Sequence, residues 1–66
     1  MPIFIEYDVT IIWRDEAGNE QEYTTTLSAV TTAVAQAEGI KQWYKNVPGA
    51  SVTGLLAIKA IGWLYE

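Results

Sequence analysis

The sequence predicts a small α+β fold, a β-β-α-β chain in which one helix packs on one face of a three-stranded antiparallel sheet. Three observations predict it. Residues 3–14 alternate between two faces, residues 21–27 are rich in threonine and tyrosine, and residues 28–45 repeat apolar side chains at three- and four-residue spacing. The chain has 66 residues, so we expect a single domain spanning residues 1–66.

The first strand is predicted over residues 3–14. Every second residue is apolar, which is the pattern of a strand with one buried face. That face should point to the core, and it comprises Ile3, Ile5, Tyr7, Val9, Ile11 and Trp13.

A turn over residues 15–20 leads into a second strand over residues 20–27, and the two strands form a hairpin. A three-residue loop would pair Trp13 with Tyr23 and place Asn19 in the left-handed conformation. A two-residue loop would slip the register by one residue and move the apolar face to solvent. We therefore expect the three-residue loop.

One helix is predicted over residues 28–45, with Ser28 as its N-cap. Residues 46–49, with a proline and a glycine, should end it. Trp43 is expected to flank the core, because the stripe expected to pack inward comprises Val30, Ala33, Val34, Ala37, Ile40 and Tyr44.

A third strand is predicted over residues 55–65, with a possible bulge at Gly62. The helix returns the chain, so this strand should run parallel to the second strand, giving the sheet order 2-1-3 with the first strand central. Its core side is expected to comprise Leu56, Ile58, Ala60 and Leu64.

A single helix covers only one face of such a sheet, and the other face should carry exposed apolar side chains. The candidate interface residues there are Phe4, Ile12, Ile61, Trp63 and Tyr65. Lys59 should lie toward Glu6 or Asp8. Exposed aromatic patches are typical of protein-binding sites. In the alternative reading, a bulge at Gly62 turns Trp63 into the core.

The third strand is also an expected sheet edge, and Lys59 is its one charged residue before the C-terminal glutamate. Unprotected edges pair with other strands. Pairing between two copies along this edge is therefore a second route to a homodimer.

The net charge is −4, and six of the eight acidic residues fall within residues 1–22. An acidic hairpin, comprising Asp15, Glu16, Glu20 and Glu22, could meet a basic partner, but solvated surface charges that keep a small protein soluble are the favoured explanation. Lysine and arginine are not clustered, so no nucleic-acid partner is expected.

The composition excludes two of the usual catalytic and metal-binding side chains. The chain has no cysteine and no histidine, which excludes disulfides and thiolate metal sites and removes the usual general base. We expect no catalytic residue, cofactor, metal site or small-molecule substrate, and hence no enzyme.

The opening Met-Pro-Ile followed by a strand resembles the 4-oxalocrotonate tautomerase family, in which removal of the initiator methionine exposes a proline amine that acts as a base. The resemblance covers residues 1–5 and implies such a role for Pro2. A helix follows the first strand in that family, whereas a hairpin is predicted here. Among the basic residues, Arg14 alone offers a counterpart to those that bind acidic substrates there.

The N-terminus lacks a basic segment, and the apolar stretch of residues 55–64 is shorter than the roughly 20 residues that a membrane span needs. A cytoplasmic location is therefore expected, with no membrane partner.

These features together predict a small acidic non-enzymatic protein-binding module that self-associates through the helix-free sheet face or the edge strand. The alternative is a monomeric phage or mobile-element accessory protein that binds and inhibits a host protein. A tautomerase-like enzyme that uses Pro2 is the least favoured alternative.

Overall fold

The computed structural model describes residues 3–63. In this part of the chain, three strands form one sheet: β1 (Ile5–Arg14), β2 (Glu20–Ala29) and β3 (Leu55–Trp63). The sheet order is β2-β1-β3, and β1 is antiparallel to both neighbours. One α-helix, α1 (Thr32–Asn46), packs on one face of this sheet, and a single 3-10 turn (Val52–Gly54) precedes β3. The predicted fold class is confirmed.

The central strand supplies most of the core, as its alternating pattern predicts. The inward face of β1 comprises Tyr7, Val9, Ile11 and Trp13, all buried. Ile3 was expected on this face, but it precedes β1 and is exposed. The strand therefore begins two residues later than predicted.

The hairpin register differs from the predicted one by two residues. Ile11, not Trp13, lies opposite Tyr23, because the turn uses all of residues 15–19. The amide of Asp15 donates to the carbonyl of Asn19 at 2.9 Å and closes this loop. A shift of two keeps every side chain on its predicted face.

The left-handed position in the turn belongs to Gly18, with φ of 85°, and not to Asn19 as predicted. Glycine has no Cβ and adopts this conformation without steric cost. The longer loop places the glycine at the point where the chain reverses.

The helix begins later than predicted, and Ser28 is not its N-cap. β2 continues to Ala29, which pairs with Ile5 and is buried. Thr31 caps the helix, since its hydroxyl accepts a hydrogen bond from the amide of Val34 at 3.2 Å.

The inward stripe of α1 is also offset from the predicted one. Its buried residues are Ala35, Gly39 and Trp43, at four-residue spacing. Tyr44 is 44% exposed, whereas Trp43 is fully buried, so the expected roles of these two aromatic residues are reversed. Of the stripe predicted to pack inward, Ile40 alone packs against the core.

Gly39 explains this orientation of the helix. A Cβ at this position would lie 2.5 Å from Cγ1 of Val9, closer than real Cβ atoms approach another carbon. The glycine lets the helix backbone lie directly on β1. The sequence pattern registers glycine only as a weak helix former, and so misses its role in packing.

The core is centred on two tryptophans. The rings of Trp13 and Trp43 meet edge to face, with centroids 5.8 Å apart. Such pairs contribute about 0.5–1.5 kcal/mol beyond their burial. The Nε1 of Trp43 has no hydrogen-bond partner among the described residues.

A bulge in β3 places one predicted core residue at the surface. Ile12 pairs with Ala57 and Trp13 pairs with Leu55, so Leu56 has no partner on β1 and is 49% exposed. Leu55 takes the inward position instead, and Ile58 and Ala60 pack inward as predicted. Leu64 lies outside the described residues.

Gly62 is not a bulge. It pairs with Tyr7 in an unbroken register, and a Cβ there would lie 2.9 Å from Cε1 of Tyr7. The glycine thus makes room for a buried aromatic ring beside β3. The alternative reading, in which Gly62 turns Trp63 into the core, is wrong.

Candidate protein-binding face

The face of the sheet opposite α1 is built in cross-strand rows. The alternate residues of β1 that point away from the core set the rows: Glu6 lies between Ser28 and Trp63, and Asp8 lies between Thr26 and Ile61. The next rows centre on Thr10, flanked by Thr24 and Lys59, and on Ile12, flanked by Glu22 and Ala57. We call this surface the helix-free face.

The apolar side chains of this face are concentrated on β3 and at one end of β1. Ile61 is 59% exposed, Trp63 is 51% exposed, and Phe4, just before β1, is 63% exposed. Ile12 is half-buried in the row between Glu22 and Ala57. Tyr65, also a candidate interface residue, lies outside the described residues.

Asp8 organises the middle of the helix-free face. Its carboxylate accepts a hydrogen bond from the hydroxyl of Thr26 at 2.9 Å and another from Nε1 of Trp63 at 2.8 Å. The indole of Trp63 is therefore tied to β1, with half of its surface in solvent. A held aromatic ring loses less conformational freedom on binding than a mobile one.

Sequence reasoning did not find the bond between Asp8 and Trp63. It depends on the β1–β3 register, and that register is set by the bulge at Leu56. Alternation along a strand shows which residues share a face, but it does not show which of them meet across strands.

Lys59 lies opposite Thr10, not beside Glu6 or Asp8 as expected. Among the described residues, no ion pair within 4 Å joins it to either carboxylate. Its ammonium therefore projects from an otherwise uncharged strand.

The acidic hairpin is divided between two places. Glu20 and Glu22 stand on the helix-free face, opposite Arg14 and Ile12, while Asp15 and Glu16 belong to the turn. The acidic side chains therefore line the β2 margin and one end of the sheet. The apolar patch lies on β3, at the opposite margin.

The carboxylate of Asp15 holds the turn together. It accepts a hydrogen bond from the backbone amide of Asn19 at 2.9 Å and another from the side-chain amide of Gln21 at 3.0 Å. Because the backbone hydrogen bond from Asn19, and then the bond from Gln21, favour the ionised form, the pKa of Asp15 lies below its usual value.

This lowered pKa predicts a loss of stability in acid. The contribution of Asp15 is complete above the pKa of about 3.9 that it has in the unfolded chain, and is lost as pH falls through the lower folded value. We expect Asp15→Asn to reduce the fall in the free energy of unfolding between neutral and acidic pH, measured by urea unfolding. Glu16→Gln removes the same charge from the neighbouring residue. In this variant the free energy of unfolding should still fall in acid, and more steeply than in Asp15→Asn. An equal reduction in both variants would contradict the role given to Asp15.

A cleft of about 390 Å³ lies at the hairpin end of the sheet, between the turn and the loop that precedes β3. Three of its polar lining residues already bond to the protein: Asp15 holds the turn, and the hydroxyls of Ser51 and Thr53 lie 2.8 Å apart. The charged side chains of Arg14 and Glu16 also line the cleft.

Residues 3–63 contain no group of three or more acidic, histidine or cysteine side chains that could hold a metal ion. No helix among them has both the length and the apolar character to cross a membrane. Pro2 lies outside the described residues, and β1 is followed by a hairpin, where the tautomerase family has a helix.

Comparison of the chain with family models, with curated proteins and with solved structures finds no match.

Proposed function

We propose that this chain is a small, acidic, non-enzymatic protein-binding module that self-associates through the edge strand β3 or the adjoining helix-free face. The observation that carries the proposal is the exposure of Ile61 and Trp63 side by side on a sheet face that no helix covers. Phe4, just before β1, is a further exposed apolar side chain.

Contiguous exposed apolar surface supports a binding role, because soluble monomers seldom leave large patches in water. Tryptophan is also among the residues that contribute most to binding energy at interfaces. Trp63 suits such a role, since its hydrogen bond to Asp8 fixes the ring while leaving half of it accessible.

A monomeric accessory protein that binds and inhibits a host protein, of phage or mobile-element origin, is the second candidate. The acidic β2 margin, with Glu20 and Glu22 on its helix-free side, favours a basic partner for this case. Binding there should weaken steeply with salt, whereas association through the apolar patch should not. The cytoplasmic location stays a prediction from the sequence.

We expect Trp63→Thr to weaken self-association at least about tenfold, which corresponds to roughly 1.4 kcal/mol. The variant keeps a β-branched residue suited to a strand and removes the exposed ring. Sedimentation velocity over a concentration series measures the dissociation constant.

Val34→Thr is the matched control, because Val34 is an exposed apolar residue on α1, far from the helix-free face. It should leave association unchanged. The free energy of unfolding of Trp63→Thr should stay within about 1 kcal/mol of that of the original chain, as expected for a half-exposed side chain. Unfolding of this variant, or equal weakening by Val34→Thr, would contradict the proposal.

A further inference from the structure

The outer edge of β3 is the least protected part of the described chain. β3 has a neighbouring strand on its β1 side alone, so its outer backbone amides and carbonyls lack strand partners within residues 3–63. Lys59 is the one charged residue in the nine of β3, and Leu56, Ile61 and Trp63 are exposed. Edges of this kind readily pair with another strand.

The other edge of the sheet has a different character. β2 carries Glu20 and Glu22 and a run of three threonines. Charged side chains on an edge strand protect it from pairing with another strand.

We propose that a second copy of this chain pairs along β3, antiparallel and about a two-fold axis, to form one continuous six-stranded sheet. The proposal rests on the proposed function, because it assigns a geometry to self-association. Both copies then place their helices on one side of the joint sheet and their helix-free faces on the other.

The bulge sets the register of this pairing. It interrupts the regular strand at Leu56, and among the described residues the regular run extends from residue 57 to residue 63, with Ala60 at its middle. A two-fold axis at Ala60 places Lys59 opposite Ile61 of the second copy, and Trp63 opposite Ala57. The Lys59 side chains of the two copies then do not lie directly opposite each other, and the ring of each Trp63 lies opposite a small alanine.

Charge favours this edge over stacking of two helix-free faces. The face carries four carboxylates, from Glu6, Asp8, Glu20 and Glu22, against Arg14 and Lys59. Stacking would bring these net negative surfaces together and remove Asp8 from water, which is costly for a charge without an ionic partner. Edge pairing leaves the acidic β2 margins at the two far ends of the joint sheet.

Disulfide trapping tests the register directly, since the chain has no cysteine of its own. Residues opposite each other in antiparallel strands have Cα atoms about 4.5–5.5 Å apart, within the range that a disulfide bridges. Ala60→Cys should therefore form a covalent dimer under mild oxidation. Lys59→Cys should form several-fold less, because its two copies are offset by two residues and lie roughly 8 Å apart.

A mixture of Lys59→Cys and Ile61→Cys is the second arm, and both positions are exposed, so folding is not at risk. The mixture should give a crosslinked heterodimer faster than either variant alone. Thr24→Cys, on the helix-free side of β2, reports face-to-face stacking when treated with a bifunctional thiol crosslinker long enough to span the roughly 10 Å between stacked sheets, and it should remain monomeric on a denaturing gel.

The outcomes separate the two proposals. A monomeric mass for the original chain at every concentration would overturn both. A dimeric mass with efficient trapping of Thr24→Cys, or with no preference for Ala60→Cys and the mixed pair, would overturn the β3 pairing and leave self-association standing.

Discussion

Replacement of Trp43 by alanine should leave the chain largely unfolded at room temperature. Trp43 is fully buried and packs edge to face against Trp13. Truncation of a buried tryptophan to alanine costs about 3–5 kcal/mol. A domain of 66 residues has roughly 3–10 kcal/mol in total, by the usual range per residue. Far-ultraviolet circular dichroism and urea titration measure the loss.

Two controls sharpen this prediction. Trp43→Phe keeps an aromatic ring and loses no hydrogen bond, since Nε1 has no partner among the described residues, so it should cost less than half as much. Tyr44→Ala should cost less than Trp43→Ala, because Tyr44 is 44% exposed, although its ring centroid lies 5.1 Å from that of Trp43. If Tyr44→Ala unfolds the chain and Trp43→Ala does not, α1 packs with the other stripe inward.

Gly39→Ala should destabilise the fold, although alanine favours a helix by about 1 kcal/mol over glycine. The added methyl group would overlap Val9, which is fully buried in the central strand. Overpacking of a tight core costs about 1–3 kcal/mol, and here it should exceed the gain in helix propensity. Urea unfolding of purified protein gives the free energy directly.

The pair Gly39→Ala and Val9→Ala provides the matched test. Val9→Ala alone opens a cavity, but it also makes room for a methyl group at position 39. The double variant should therefore be more stable than the sum of the two single costs implies, by at least about 1 kcal/mol. A stabilising Gly39→Ala, with no coupling to Val9, would contradict the close approach of α1 to β1.

The sheet could be predicted from the sequence because strand alternation is a local signal. The inward side chains of β1 and the order β2-β1-β3 follow from the alternation in residues 3–14 and from one returning helix. The hairpin register was wrong by two residues, since turn length depends on which backbone atoms bond, and Asp15 to Asn19 closes a longer loop than expected. Because the register differs by an even number of residues, every side chain still lies on its predicted face of the sheet.

The orientation of α1 could not be predicted from apolar spacing alone. The true inward stripe contains two small residues, Ala35 and Gly39, and gains its large side chain only at Trp43. A pattern of Val30, Val34 and Tyr44 is more hydrophobic, yet these residues are exposed. Close contact between a helix and a sheet selects for small residues, and hydrophobicity does not register them.

The candidate face was partly predictable. The outward phase of Ile61 and Trp63 follows from period two along β3, and the structure places both at the surface. The bulge that exposes Leu56 and the hydrogen bond from Trp63 to Asp8 depend on long-range register, which no local pattern encodes.

The mass of the unaltered chain in solution, followed against concentration and salt, tests the central claim most directly. We predict a rise from 7.3 kDa to twice that value with concentration, and tighter association at higher salt, because two copies of net charge −4 repel each other less when screened. A mass that stays at 7.3 kDa up to millimolar concentration at every salt level would contradict the claim that the chain binds a second copy through β3 or the helix-free face.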